Sequence, residues 1–265
     1  MIRTCIAGAT GWTGSALVAA IAKSGTFELS GAVARKCAGQ DAGTALGLAP
    51  LGVTIAATVA EALRAPTDVL IDYSHPTAVK AHALAALAAG VPVVIGTSGL
   101  GAEDFQELEA FARERGLGVI ASGNFAITAA LAKHCALLSA KYLPYREVLD
   151  YAQADKPDVP SGTARELAEC LGQVRPTEIL KPVRELLGPL EARGAEVAGT
   201  QVHSLRLPGY TLCFETVFGL PDERLTIRHD AGTSAQPYVA GTLLAAERAL
   251  TLVGLIRGLD TLLFQ

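Results

Sequence analysis

The sequence predicts an α/β protein: a doubly wound parallel sheet joined to an α+β portion with an open mixed or antiparallel sheet. Three observations carry that prediction. Up to about Ser122, short apolar runs alternate with Ala-rich helical stretches, the pattern of repeated β-α units. Between the first run and the first helical stretch lies a turn holding Gly8, Gly11 and Gly14. Beyond Gly199, β-like runs follow one another with no helix between them, which requires a sheet of another kind.

The elements follow in order. Strands are predicted over 2–7, 29–34, 53–56, 69–73, 91–96 and 118–122, with helices over 13–24, 59–63, 76–89 and 102–115 among them. Most of these strand runs are continuously apolar rather than alternating, as expected where helices cover both faces of a sheet. After Asn124 the character changes. A helix is predicted over 127–141 and a strand over 145–152, then a polar loop leading to a helix that starts at Pro160-Ser161-Gly162-Thr163. The stretch 176–199, broken by Pro182, Gly188, Pro189 and Gly194, reads mostly as loop. Strands follow over 201–207, 210–218 and 224–229, and an Ala/Leu helix over 237–255 is expected to return to the first domain. The predicted organisation is a discontinuous domain of residues 1–123 and 236–265 around an inserted domain of residues 124–235.

Composition narrows the function. The chain has 265 residues, 50% of them hydrophobic and 18% charged, against a usual charged share of about 25%. Disorder, a collagen-like chain and a basic nucleic-acid arm are excluded. A net charge of -4 gives polyanion binding no electrostatic support. The longest apolar stretch, 83–95, contains Gly90 and Pro92 and falls short of the roughly 20 residues a membrane helix needs. Five scattered cysteines without a C-x-x-C pair read as buried thiols in a reducing compartment. The first residues run straight into a strand, so no signal peptide is expected and the predicted location is cytoplasmic. His75, His82, His134 and His229 show no metal-ligand spacing, and no metal is predicted.

Gly8-Ala9-Thr10-Gly11-Trp12-Thr13-Gly14 is G-x-x-G-x-x-G at a strand-to-helix turn. Glycines there let the backbone approach a pyrophosphate, and the helix start supplies unpaired N–H groups. The reading is a Rossmann-type dinucleotide site; the plainer reading is an ordinary glycine turn. The second strand ends in Arg35-Lys36 with no acid to meet a ribose hydroxyl. Two cations suit a 2'-phosphate, so NADPH is predicted over NADH, the alternative being a solvated basic turn. Gly96-Thr97-Ser98 and Ser122-Gly123-Asn124-Phe125 end two further strands, where ligands sit in an open parallel sheet. At Lys156 and Pro160-Ser161-Gly162-Thr163, N–H groups, hydroxyls and a cation combine into a carboxylate site; a plain Ser/Thr N-cap is the competing reading.

Together with Asp72-Tyr73-Ser74-His75-Pro76, Val94 to Gly99, Lys156 to Ala164 and Val202 to Gly209, these motifs resemble the dihydrodipicolinate reductase family across nearly the whole chain. The resemblance implies a Rossmann domain, a substrate domain with an open sheet, homotetramers built through that sheet, and NAD(P)H-dependent reduction of a cyclic imine-type dicarboxylate in diaminopimelate and lysine biosynthesis. It implies that Lys156 is catalytic and that Gln153, Lys156, Ser161, Gly162 and Thr163 bind substrate. The family pattern before the lysine is Glu-x-His-His-x-x-Lys, whereas here Asp150, Ala152 and Gln153 stand for the Glu and the two histidines. Gly123 replaces the usual Pro or Ala, and Ala126 the common Ser. Alanine donates no proton and glutamine carries no charge. Tyr151, His203 and Tyr210 are the substitute donors the sequence offers, against the plainer reading that each is structural, since polar aromatics in strands usually pack with the polar tip bonded. Three readings result: the pathway reductase with altered chemistry, a reductase of another imino acid or ketoimine, and a non-catalytic NADPH-binding protein. Lys156 and Ser161 to Thr163 beside an intact glycine turn favour the reductases, since a pure binder has little use for a carboxylate site.

Overall fold

Apolar runs too short for helices become strands covered on both sides. The computed structural model describes residues 1–264. It divides into two compact units, Met1–Ile127 with the segment from Ala235 onward, and Thr128–Ser234. The first unit runs β1 (Ile2–Ala7), α1 (Trp12–Ile21), β2 (Phe27–Val33), α2 (Ala42–Ala45), β3 (Ile55–Ala56), α3 (Val59–Ala62), β4 (Val69–Asp72), α4 (Val79–Ala88), β5 (Val93–Ile95), α5 (Ala102–Arg115) and β6 (Gly118–Ala121). The second carries α6 (Ile127–Ala140) from the boundary onward, then β7 (Tyr145–Ala152), α7 (Gly162–Val174), β8 (Ala195–Val197), β9 (Thr200–Arg206), β10 (Leu212–Leu220) and β11 (Glu223–Ala231). The chain then returns to the first unit as α8 (Gln236–Ala249), β12 (Gly254–Arg257) and α9 (Leu259–Phe264).

The first sheet has seven strands in the order β12-β6-β5-β4-β1-β2-β3, all parallel. Alternate residues of its strands serve opposite faces. Cys5, Ala7, Leu70, Val93, Ile95 and Val119 pack with Val59, Val79, Ala83, Leu87 and Leu108 of α3, α4 and α5. Ile6, Ile71, Val94 and Ile120 point the other way and are equally buried, on the side where α8 meets β4, β5 and β6. Each fully buried Leu or Ile contributes about 1.5–3 kcal/mol, so this double cover is the main stabilising term. The second sheet, β11-β10-β7-β9-β8, is antiparallel except for the parallel pair β7 and β9.

Four expectations need correction. The cysteines are not all buried: Cys5 and Cys213 are, Cys37 and Cys170 are partly so, and Cys135 is exposed. The last long helix ends at Ala249, not near Leu255, because Gly254 adopts a left-handed backbone (φ 95°) and opens a strand that joins β6. The stretch read as loop holds β8 and two 3-10 turns, Val183–Glu185 and Leu190–Arg193. The unexpected α2 is capped by Asp41, whose carboxylate accepts from the Thr44 N–H at 3.0 Å.

Candidate cofactor and substrate sites

Strand order reverses around β1: β2 and β3 lie to one side, β4, β5 and β6 to the other. Ligands of open parallel sheets sit outside the carboxyl ends at such a point. The glycine turn fills that position. Gly8 has φ 82°, and a Cβ on it would overlap the Tyr73 carbonyl; a Cβ on Gly14 would overlap the Gly8 carbonyl. The turn therefore packs closer than any side chain permits. Its Gly8 and Ala9 N–H groups bond to the Val33 carbonyl. Gly11 is the N-cap of α1 and brings no side-chain cap, so the first N–H groups of the helix, from Trp12 and Thr13, remain for an anion. Thr10 is half-buried at this edge, and Trp12 is 53% exposed with its ring edge-on to Tyr238 at 5.6 Å. Arg35 and Lys36, just past β2, are exposed and pair with nothing among the described residues. Unpaired helix N–H groups and two uncommitted cations fit a phosphorylated dinucleotide.

The loops after β5 and β6 are held from within. A Cβ on Gly96 would overlap the Tyr73 ring. Thr97 Oγ1 donates to Asp72 Oδ1 at 2.6 Å, while Ser98 is exposed. Asp72, fully buried at the end of β4, also accepts from the Ser74 N–H (2.9 Å) and Ser74 Oγ (2.7 Å) and contacts His82 Nδ1 at 2.8 Å. Burial alone would raise its carboxyl, but the His82, Thr97 and Ser74 donors overturn that and hold it below the ordinary carboxylate range. In the sequence Asp72 stands out only as part of a motif; an Asp closing a buried strand, with a Ser two residues on, is the available sign of an Asx turn. Ser122 Oγ donates to the Asn124 carbonyl at 2.8 Å, and Asn124 Oδ1 accepts from the Ala126 N–H at 2.8 Å. Gly123 is exposed between them, and Phe125 is buried edge-on to Tyr73 at 6.2 Å.

In the second unit, β7 ends where α7 begins. Ser161 caps α7, accepting from the Ala164 N–H at 3.3 Å. Its own Oγ–H and N–H donate to the two oxygens of Asp150, at 2.6 and 2.8 Å. The Ser161 hydroxyl is thus committed to Asp150 rather than turned to a ligand. Gly162 is exposed and Thr163 half-buried, so the open part of this turn belongs to them. Lys156 Nζ pairs with Asp158 Oδ1 at 2.7 Å. Burial raises the Asp158 carboxyl, but Lys156 and the Gly162 N–H outweigh it and leave it below its ordinary range. Gln153 is exposed in the turn that leads to Lys156.

Strand alternation sorts the remaining candidates. Asp150 and Ala152 share one face of β7, and Ala152 is fully buried. Tyr151 points to the other face, where it donates to Glu215 Oε2 at 3.2 Å and lies tilted against the Tyr210 ring at 5.1 Å. His203 contacts Glu147 Oε2 at 2.8 Å on that same far face. All three substitute donors are therefore on the wrong side of the sheet from Ser161. A cavity of about 480 Å³ lined by Glu147, Leu149, Gln201, Val217, Ile179 and Leu180 also opens on that far face. On the Asp150 face, His229 stacks on Phe214 at 5.5 Å and meets Thr128 Oγ1 at 3.1 Å.

The family model described as "Dihydrodipicolinate reductase, N-terminus" matches residues 2–125, and "Dihydrodipicolinate reductase, C-terminus" matches residues 124–263. The chain is 36% identical over 264 residues to a 4-hydroxy-tetrahydrodipicolinate reductase of Desulfitobacterium hafniense, covering 99% of this chain and 98% of that protein. It is 36% identical over 263 residues to the protein of the same name from Geobacillus kaustophilus, covering 99% of each. Among solved structures, the dipicolinate-bound dihydrodipicolinate reductase from Paenisporosarcina sp. TG-14 superposes with a TM-score of 0.85 at 30% identity, covering 98% of this chain and 99% of that one.

Proposed function

The chain belongs to the dihydrodipicolinate reductase family, and from that premise we propose that it reduces 4-hydroxy-tetrahydrodipicolinate, a cyclic imine-type dicarboxylate, with NADPH in diaminopimelate and lysine biosynthesis. The observation that carries the reading is Lys156 beside the open first turn of α7, in a chain whose glycine turn leaves its helix N–H groups uncapped. Bound nicotinamide cofactor supplies the hydride. Residues Gly8, Ala9, Thr10, Gly11, Trp12 and Thr13 take the pyrophosphate, and Arg35 and Lys36 take the 2'-phosphate, which favours NADPH over NADH. Gly96, Thr97, Ser98, Ser122, Gly123, Asn124 and Phe125 shape the loops that receive the nicotinamide end.

One substrate carboxylate binds the Gly162 and Thr163 N–H groups and the Lys156 ammonium, with Gln153 as a neutral hydrogen-bonding partner. Ser161 supports this site from below through Asp150. Asp158, whose carboxylate engages both Lys156 and the Gly162 N–H, gives up both on binding, and Lys156 then stabilises the negative charge that develops as hydride arrives. Ala152 supplies no acid. A positioned acid adds roughly 10²–10⁴-fold, so turnover is expected to rest on positioning, with the final proton coming from water or Lys156. The far face of the second sheet is the surface proposed for homotetramer contacts, and the reducing cytoplasm the proposed location.

The test is NADPH consumption with freshly generated 4-hydroxy-tetrahydrodipicolinate. Wild type is expected to turn over, and Lys156→Ala to lose about a hundredfold or more in kcat/KM. Tight NADPH binding with no turnover by the wild type would sink the reading.

A further inference from the structure

Asp150 is 1% exposed, and its carboxylate accepts four hydrogen bonds. Two come from Ser161, one from Ser204 Oγ at 3.1 Å and one from Arg206 Nη2 at 2.8 Å. The same Arg206 nitrogen donates to the Asp158 carbonyl at 2.7 Å, and Nη1 to the Leu205 carbonyl at 2.9 Å. One ion pair therefore joins the end of β7, the end of β9, the loop that carries Lys156 and the cap of α7.

Stability does not explain such a pair. Burying two charges costs several kcal/mol per ion, and apolar replacements are often as stable or more so. What the pair does supply is location. Asp150 fixes where the first turn of α7 begins, and Arg206 fixes the Asp158 backbone two residues beyond Lys156. A site whose ligands are backbone N–H groups and one mobile lysine binds well only when those groups are held in place beforehand. Gln153 carries no charge to compensate for misplacement.

We propose that Asp150 and Arg206 are positioning residues for the substrate carboxylate, holding the Gly162 and Thr163 N–H groups and the Lys156 loop in their binding geometry; this rests on the carboxylate site proposed above. Ser161 belongs to the same device as its link to α7, a role distinct from contacting the ligand.

The experiment measures dipicolinate affinity by calorimetry, with KM, kcat and NADPH affinity, for wild type, Asp150→Asn, Asp150→Glu and Arg206→Lys. Asp150→Asn is expected to weaken dipicolinate and raise KM by about tenfold to a hundredfold, the range for a lost charged hydrogen bond. NADPH affinity should change by no more than about threefold, and kcat should fall by less than KM rises, because the device acts chiefly on binding of the substrate carboxylate and on kcat only as far as Lys156 is displaced. Asp150→Glu keeps the charge and should recover most of the loss. A merely structural role would lower the melting temperature while leaving dipicolinate affinity and KM of the folded protein unchanged, and that result overturns the proposal. If Asp150→Asn does not fold, Arg206→Lys and Ser161→Ala decide it: weakened dipicolinate supports the proposal, and unchanged affinity overturns it. A wild type that neither binds dipicolinate nor consumes NADPH removes the carboxylate site itself and this inference with it. A wild type that does both, beside unaffected variants, removes the inference alone.

Discussion

Single side chains of the same type stand in different states. Arg35 and Lys36 have no partner among the described residues, whereas Lys156 is engaged by Asp158 at 2.7 Å and Arg206 is locked to Asp150. Exposed cations with no internal partner keep their full charge for a ligand. Arg35→Ala is therefore expected to weaken NADPH by about tenfold or more, the worth of one charge-assisted hydrogen bond, with little effect on NADH. Parallel titrations with the two cofactors measure this, and an equal loss on both removes the 2'-phosphate assignment. At this scale the sequence identifies residue types and their neighbours along the chain. It marked Ser161 and Lys156 from a local motif, but Ser161 and Asp150 meet only because β7 ends where α7 starts, a contact across eleven positions that no spacing rule announces.

Among elements, legibility followed local chemistry. The range Ala102–Arg115 was readable to its ends, because Asp104 accepts from the Gly101 N–H at one end and Gly116 takes a left-handed backbone (φ 65°) at the other. Strand β12 was not, since its Gly254 sits inside a run of Leu, Val and Ile, Leu252 to Ile256, that suits a helix as well as a strand. The fit of α1 against the turn also makes a prediction. Gly14→Ala drives a methyl group into the Gly8 carbonyl, which neither the turn nor the helix can yield cheaply. A loss of about 1–3 kcal/mol in denaturant unfolding is expected, the usual cost of overpacking, together with weakened cofactor binding. The α6–β11 contact makes another. Burial lowers the pKa of His229, with Asp230 opposing. The folded state thus stays neutral where the unfolded chain, titrating at about 6.5, takes up a proton. Stability should be full above that pH and fall as the pH drops towards the lower folded value. In chemical unfolding, His229→Gln should flatten the slope across this window; an unchanged slope excludes His229 as its source.

For the whole molecule, the alternation of β-α units and the later run of consecutive strands were enough to read the two sheets. The partnering of strand faces was not readable, because one residue of register decides which side a side chain serves. That is why Tyr151 and His203 looked available in sequence and lie on the far face in the fold. The chain has one tryptophan, and it stands at the glycine turn between β1 and α1, 53% exposed. Intrinsic tryptophan fluorescence should therefore report NADPH binding directly, by quenching and energy transfer to the reduced nicotinamide, while dipicolinate alone should leave it nearly unchanged. A signal indifferent to NADPH would place the cofactor away from Trp12.

The discontinuous first unit has a consequence for synthesis. Strands β1 to β6 leave the ribosome first, but α8, which covers the face of β4, β5 and β6, and β12, which pairs with β6, come only after β11. Domains ordinarily fold in the order they are translated, at about 5–20 residues per second. Here the nascent first sheet must wait, with one face bare of α8, while the whole of Thr128–Ser234 is made and is free to fold ahead of it. The interval during which Ile71, Val94 and Ile120 lack that cover is set by translation speed, which makes this the stage at which a chaperone has an apolar surface to hold.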